Sequence, residues 1–193
     1  MKEFSQKQLN LINISLDIIL NEGIQSLTIK KLSTRAGVTD PAIYRHFKSK
    51  FDILYSLLDF FEKHSEMFLE NIINDTSKGL EKMKIFFLTH CKRFNENKAF
   101  AIIMFSEEIF IDNEELENKL LQIISKQKKV LMSIIEEAQE QKTVKDIPKE
   151  HIFTLFIGSL RFLVSQWKMN KFKDNLEEMG ENFWISLEKL ITA

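Results

Sequence analysis

The scarcity of helix-breaking residues is the feature that most limits the folds open to this chain. Only 5 glycines and 2 prolines occur among its 193 residues, too few for the many tight turns of a fold built from short strands. Apolar residues recur at helical spacing in the first segment, at Leu9, Ile12, Leu16, Ile19 and Leu20. No segment alternates apolar and polar residues in the manner of a strand. The sequence therefore predicts an all-α fold.

Short polar breaks divide the chain into helices. Thr28 and Thr39 are good N-caps for two short helices, and Gly37 can supply the tight turn between them. Longer helices are predicted over residues 5–22, 49–73, 80–96, 99–111, 114–142, 149–170 and 174–192. We therefore predict an N-terminal three-helix bundle and a C-terminal helical domain, at residues 1–48 and 49–193.

Composition favours a globular protein of the cytoplasm. Hydrophobic residues make up 44% of the chain and charged residues 28%, as in ordinary globular domains. The N-terminus has no apolar signal core, and no run approaches 18 apolar residues, so we expect no membrane association. Cys91 is the only cysteine, which excludes an intramolecular disulfide and fits a reducing compartment.

Charge is distributed unevenly along the chain. The first 50 residues carry eight lysine or arginine residues against four acidic ones, a net charge of +4, and the remainder carries −5. A basic N-terminal segment on an acidic body indicates that the N-terminal segment meets a polyanion such as DNA.

Residues 28–47, TIKKLSTRAGVTDPAIYRHF, meet the requirements of a helix-turn-helix. Such a motif has one helix that crosses the DNA backbone, a tight turn, and a second helix that enters the major groove. The turn Ala36-Gly37-Val38 combines a small, a flexible and an apolar residue. Short helix pairs joined by glycine are common, however, so the pattern alone leaves a purely structural pair open.

The stretch from Gly23 to Leu54 resembles the DNA-binding domain of the TetR (tetracycline-repressor) family. The matching residues are Gly23, Leu27-Thr28, Lys31-Leu32, Ala36-Gly37-Val38, Tyr44-Arg45-His46-Phe47, Lys50 and Leu54. The resemblance implies a homodimeric transcriptional repressor that binds a double-stranded DNA operator and is released by a small molecule.

The resemblance also implies a set of residues that contact DNA. Backbone phosphates would be held by Thr28, Tyr44, His46 and Lys50, while Lys30 would reach a base or a phosphate. Bases would be contacted from the recognition helix by Asp40, Pro41, Ala42 and Arg45, with Thr39 at the start of that helix. Arg45 suits guanine, and Asp40, which departs from the basic or amide residue frequent in the family, suits a cytosine amino group.

Each of these residues also has a structural interpretation. Tyr44 and Phe47 can pack the core of the small bundle, and for Phe47 this is the favoured interpretation. Thr28 is an N-cap in either case. His46 and Lys50 can be ordinary surface residues.

The C-terminal domain is rich in aromatic residues, which favours an apolar ligand. Helices lined with phenylalanine are where such bundles place a mostly apolar cavity, although aromatic residues at helical spacing are more often core. The predicted pocket comprises Phe86, Phe87, His90, Phe94, Met104, Phe105, Phe156 and Trp167. His90, a titratable group among phenylalanines that include Phe110, is the candidate to orient the ligand, and a hydrogen-bonded core histidine is the alternative.

An apolar stripe on the last helix predicts self-association. Together with the helix before it, which resembles dimerisation helices of the family near Gly158 and Arg161, it would form a four-helix bundle from two chains. The predicted interface residues are Phe156, Leu160, Phe183, Leu187 and Leu190. The alternative is that the stripe packs within the chain.

Two other classes of function are alternatives to a ligand-responsive repressor. Catalysis, metal binding and cofactor binding are not expected, because the four histidines lack metal-ligand spacing and no nucleophile or phosphate-loop motif occurs. The carboxylate pairs Glu107-Glu108 and Glu114-Glu115 are typical of helix ends. The second alternative keeps the fold: a constitutive DNA-binding protein that acts through a protein partner without an inducer.

Overall fold

The computed structural model describes residues 4–106 and 113–193. Within these segments the chain forms nine α-helices: α1 Gln6–Glu22, α2 Ile29–Ala36, α3 Asp40–Tyr44, α4 Lys50–Asn74, α5 Gly79–Glu96, α6 Lys98–Met104, α7 Glu114–Glu140, α8 Lys149–Met169 and α9 Leu176–Ile191. A short 3₁₀ turn, Ile24–Ser26, follows α1. The described segments contain one isolated β-bridge, between Val144 and Thr192. The all-α prediction is confirmed.

The predicted helix over residues 99–111 is seen only in its first part. The structure places α6 at Lys98–Met104. The end of that predicted helix, the carboxylate pair Glu107-Glu108 and Phe110 lie outside the described residues.

Local chemistry explains how the first helices begin and end. Ser5 and Gln8 form a reciprocal capping box at the start of α1. The predicted N-cap Thr28 accepts a hydrogen bond from the Lys31 backbone N–H at 3.1 Å. Gly37 ends α2 in the left-handed conformation, at φ 65° and ψ 31°, which a residue with a side chain rarely adopts. Thr28 and Gly37 therefore set the two ends of α2.

Packing divides the chain into two compact units. The first comprises residues up to Lys63 together with Ile102–Leu121, and the second comprises His64–Ala101 and Gln122–Ala193. The first half of α4 packs in the first unit. The proposed DNA-binding domain, residues 1–48, is therefore only part of that unit.

The first unit has an aliphatic core and a buried ionic cluster. Its most completely buried side chains include Ile12, Ile18, Ile19, Leu27, Leu32, Ile43, Phe47, Ile53 and Leu57. Lys119 on α7 donates to Glu62 at 2.5 Å and to Asp59 at 3.1 Å, both on α4. Lys119 and Glu62 are buried. Because water does not solvate their charges there, each charge is stabilised by the other. The cluster holds the start of α7 against α4.

In the second unit, α5 packs most extensively against α9, which requires small residues on both helices. A Cβ on Gly180 of α9 would lie 2.6 Å from Cys91 Sγ on α5. A second ionic contact, Lys82 to Glu137 at 2.9 Å, joins α5 to α7. Across the described residues, no helix is both long and apolar enough to cross a membrane.

Candidate DNA-binding surface and aromatic interior

Buried and exposed side chains alternate along α3 and the residues that follow it. Ile43 and Phe47 are buried, with 0% and 1% of their surfaces exposed. Tyr44 is 53% exposed, and Arg45 beside it is also exposed. Phe47 is therefore a core residue, as favoured from the sequence, whereas the core interpretation of Tyr44 is excluded by its exposure.

The remaining predicted DNA contacts lie on the surface or at its edge. The exposed members are Thr28, Lys30, Thr39 and Pro41, and the half-buried members are Asp40, Ala42, His46 and Lys50. Thr28 uses its oxygen to accept the cap hydrogen bond from Lys31. Its O–H can still donate outward, so capping and phosphate binding are compatible at this residue.

Some of the basic charge of the N-terminal segment is neutralised within the chain. Arg35 pairs with Asp17 at 3.0 Å and with Glu22 at 2.7 Å, and Lys31 also pairs with Glu22. The hydrogen bond from Lys31 lowers the pKa of the Glu22 carboxyl, keeping it ionised. Among the described residues, Lys30 and Arg45 form no ion pair, so their charges can meet phosphates or base edges.

Lys50 is the first residue of α4, and hydrogen bonds of the neighbouring residues satisfy backbone N–H groups at this end of the helix. Asp52 accepts a hydrogen bond from the Lys48 backbone N–H at 2.7 Å, and its own backbone N–H donates to Ser49 Oγ at 3.2 Å. Lys50 is half-buried, and this burial lowers the pKa of its ammonium group. An anion beside Lys50 would favour the charged form and oppose that effect.

Asp40 makes a contact that the sequence pattern does not reveal. Its Oδ1 accepts a hydrogen bond from Ser33 Oγ on α2. Ser33 is buried, with 4% of its surface exposed, and Asp40 is half-buried. The carboxylate that could have faced the major groove is thus engaged with the other helix of the motif.

The second unit contains a cluster of aromatic rings around His90. Phe86 stacks on His90 with ring centroids 4.4 Å apart, and Phe68 meets the same imidazole edge-on at 5.7 Å. Phe156 contacts Phe86 at 5.9 Å and Phe87 at 5.3 Å. Offset and edge-to-face contacts of this kind are the favourable arrangements of aromatic rings. We call these five residues and Trp184, which contacts both Phe87 and Phe156, the aromatic cluster.

His90 is the polar centre of the aromatic cluster. Burial lowers the pKa of its imidazole to about 4, so the ring is neutral at pH 7. Its Nδ1 lies 2.8 Å from the Phe86 carbonyl oxygen, an acceptor, so Nδ1 carries the proton and donates. Nε2 is then an acceptor, and it lies 3.2 Å from Gln127 Oε1, which is also an acceptor. Rotation of the Gln127 amide by 180° exchanges its oxygen and nitrogen, and the N–H₂ group then donates to Nε2.

Cys91 has no catalytic character. It is buried, and this burial raises the pKa of its thiol to about 12. A thiol that stays protonated at neutral pH is a poor nucleophile. In the described part of the chain, no group of three or more histidine, cysteine or acidic residues is placed to hold a metal ion.

Comparison with known proteins identifies the family. Residues 12–57 match the N-terminal region described as bacterial regulatory proteins of the tetR family. Residues 60–190 match the family described as the C-terminal region of YsiA-like proteins. The chain belongs to the TetR family. It is a DNA-binding transcriptional regulator.

Two curated relatives are similar to this TetR-family chain over most or all of its length. It is 27% identical to the fatty acid metabolism regulator protein of Bacillus subtilis, over 100% of this chain and 98% of that protein. It is 24% identical to the nucleoid occlusion factor SlmA of Vibrio vulnificus, over 88% and 87%. The fold matches that of the transcriptional regulator FadR from Bacillus subtilis in complex with stearoyl-CoA. That match has a TM-score of 0.78 and 24% identity, over 93% and 96% of the chains.

The TetR-family chain brings together five of the eight residues predicted to line a pocket. Phe86, Phe87, His90 and Phe156 belong to the aromatic cluster, and Phe94 lies 6.3 Å from His90, ring to ring. Sequence reasoning missed Phe68, Gln127 and Trp184, which are distant in the chain. Helical spacing on α4 could have indicated Phe68, but no local signal pairs Gln127 with His90.

The other three predicted pocket residues lie elsewhere in the regulator. Trp167 packs edge-on against Phe172 at 4.7 Å, and its indole N–H donates to the Asp174 carbonyl oxygen at 2.8 Å. It therefore anchors the α8–α9 connection. Met104 and Phe105 are half-buried members of the first unit.

The interface residues predicted on α8 and α9 require correction. Phe156, Leu160 and Leu187 are at most 4% exposed within a single chain, because they line the inward faces of the two helices. Phe183 is half-buried, and Leu190 is 65% exposed. The exposed apolar side chains on these helices are Leu155, Phe162, Met169, Ile185 and Leu190. We call these five residues the outer stripe.

Proposed function

We propose that this TetR-family regulator is a repressor that leaves its operator when a long-chain fatty acyl compound binds the second unit. The observation that carries the proposal is the full-length similarity to a fatty acid metabolism regulator. The chain's own chemistry supports it: the aromatic cluster is apolar and contains one neutral, hydrogen-bonding imidazole. Sites for apolar ligands combine such walls with a few polar groups.

On DNA, α3 is proposed to enter the major groove, with Pro41, Ala42 and Arg45 facing the bases. Phosphates are proposed to be held by Thr28, Lys30, Thr39, Tyr44, His46 and Lys50. The exposure of Arg45 and Tyr44 opposite the buried Ile43 supports this orientation. Arg45 is suited to guanine, whose O6 and N7 accept the two parallel N–H bonds of a guanidinium.

The outer stripe is proposed to pair with its counterpart in a second copy. Among the exposed positions of α8, 151, 155, 158, 162, 165 and 169 recur at alternating intervals of four and three, the spacing of a helix-packing seam. Gly158 has open space around its Cα, with no atom within 4 Å of a Cβ built there. A partner helix could approach closely at that point.

Release from DNA requires that the ligand bind the non-DNA conformation more tightly, since equal affinity for both would shift nothing. Coupling free energies of about 1–3 kcal/mol are typical of linked sites. Three helices, α4, α6 and α7, contain residues of both units. They are therefore the proposed path by which ligand binding changes the DNA-binding helices.

Stearoyl-CoA is the probe that tests the proposal. A fluorescent operator selected from a random duplex library should be released as stearoyl-CoA is added, and calorimetry should detect saturable binding to the protein alone. Coenzyme A without the acyl chain should do neither. His90→Phe should weaken the calorimetric affinity while operator affinity stays nearly unchanged. The proposal is wrong if neither stearoyl-CoA nor stearate changes operator binding at saturating concentration.

A second function is favoured by the similarity to nucleoid occlusion factors. In this alternative the protein binds DNA constitutively and acts through a protein partner. It predicts operator binding that is insensitive to acyl compounds and variants of the aromatic cluster that affect stability alone. The stearoyl-CoA titration therefore separates the two.

A further inference from the structure

We infer that Asp40 and Ser33 act as a positioning pair that sets the orientation of the recognition helix, and that Asp40 does not read a base. Ser33 lies on α2 and Asp40 is the first residue of α3. Their side chains are joined by a hydrogen bond. The inference rests on the proposed entry of α3 into the major groove.

The chemistry of the contact assigns its proton. Ser33 Oγ lies within hydrogen-bond distance of two acceptors, the Asp40 carboxylate and the Lys30 carbonyl oxygen, the latter at 2.9 Å. A serine hydroxyl has one proton to donate. An ionised carboxylate is a stronger acceptor than a neutral carbonyl, so the proton is directed to Asp40.

The hydrogen bond lies at the start of α3, where it can affect the orientation of the whole helix. The backbone between the two helices is a short turn, and α3 itself has only five residues, Asp40–Tyr44. Thr39, the N-cap of α3, makes no side-chain cap hydrogen bond. The start of α3 is thus joined to α2 by the buried Ser33 hydroxyl, in addition to the packing of the two helices against each other.

Loss of the hydrogen bond should reduce the fraction of molecules whose recognition helix is correctly oriented. Apparent affinity falls in proportion to that fraction. We expect a loss on the order of tenfold, the equivalent of one hydrogen bond to a charged group. The loss should affect several adjacent base pairs, because the whole helix is displaced.

Four variants separate positioning from direct reading. Ser33→Ala and Asp40→Ala should show the same reduced affinity and the same relaxed preference at several adjacent base pairs. The double variant should be no worse than either single variant, since both remove one interaction. Asp40→Asn should keep the wild-type base preference, because the amide oxygen still accepts from Ser33.

The matched control is Ser15→Ala, which removes a buried hydroxyl that donates only to the Leu11 carbonyl within α1, at 2.8 Å. Base preference is measured by selection from a random duplex library, and thermal unfolding checks that each variant is folded. The inference is overturned if Asp40→Asn changes preference at a single base pair while Ser33→Ala does not. Additive losses in the double variant would overturn it too. A wild-type protein that selects no sequence would instead refute the proposed function together with this inference.

Discussion

At the scale of single residues, charge and solvent exposure divide the N-terminal basic groups into two kinds. Lys31 and Arg35 pair with acidic residues of α1, so their charges are partly neutralised within the bundle. Arg45 is exposed, and Lys50 is half-buried at the start of α4. These two are expected to act on DNA through different parts of the duplex.

Lys50→Ala should weaken binding to all DNA sequences alike and lower the salt slope by about one, because one phosphate contact is lost. Arg45→Ala should cost about 1–3 kcal/mol, chiefly at one base pair. Titrations of operator variants across a range of salt concentrations measure both effects. Lys173→Ala, an exposed lysine of the second unit, is the control. If Arg45→Ala leaves the base preference unchanged, Arg45 contacts a phosphate and not a base.

His90 makes stability depend on pH in a defined window. Its pKa is about 4 in the folded chain against 6.5 as the ordinary value, so the unfolded chain binds the proton more readily. The stabilisation is complete above pH 6.5 and is lost as pH falls toward 4, by roughly 3 kcal/mol. Denaturant unfolding should show that His90→Gln flattens this dependence, with His151→Gln, at an exposed histidine, as the matched control. Parallel slopes in the wild type and His90→Gln would contradict the prediction.

At the scale of helices, small residues decide where two backbones can approach. Gly79 begins α5, and its backbone N–H donates to Gln141 Oε1 at 2.8 Å. A Cβ at Gly79 would lie 2.5 Å from the backbone nitrogen of Ala138 on α7. Because the Ala138 nitrogen is a backbone atom, a change of side-chain rotamer cannot relieve this clash.

Gly79→Ala should therefore lower the free energy of unfolding by about 1–3 kcal/mol, the usual cost of overpacking. Gly158→Ala, made in a Phe162→Asp chain so that no partner helix packs on it, is the contrast, because a Cβ there meets open space in the single chain and alanine favours a helix by about 0.5–1 kcal/mol. Guanidinium unfolding at matched protein concentration compares the two. Equal effects of both substitutions would show that the α5–α7 contact is not the determinant.

At the scale of the whole molecule, the outer stripe is an apolar surface on α8 and α9 that is exposed to solvent in the single chain. Phe162 is 65% exposed and Met169 is 81% exposed. Exposed apolar patches of this kind mark interaction surfaces. Because an operator bound by one helix-turn-helix per chain needs two chains, the stripe is the proposed dimer contact.

Phe162→Asp should convert the protein to a monomer, since pairing would bury two unpartnered carboxylates. Sedimentation should show half the wild-type mass, and operator affinity should fall sharply while unfolding of the monomer remains cooperative. Met67→Asp, another exposed apolar residue, at 68%, controls for the added charge. A Phe162→Asp protein that sediments as the wild type would exclude this face.

The sequence alone determined the helices and the DNA-binding motif, because both depend on local chemistry. Helical spacing, the cap at Thr28, the turn at Gly37 and the buried positions of Ile43 and Phe47 all follow from residues a few places apart. The family and the regulator function also came from that segment, since its residues match at fixed spacing.

Only the tertiary structure decided which of two apolar faces on a helix is buried. On α8, Phe156 and Leu160 face inward and Leu155 and Phe162 face outward, yet both pairs have helical spacing. The contact between His90 and Gln127 spans 37 residues. Such choices depend on which distant helices supply packing partners, and the period of a helix specifies its faces without specifying their neighbours.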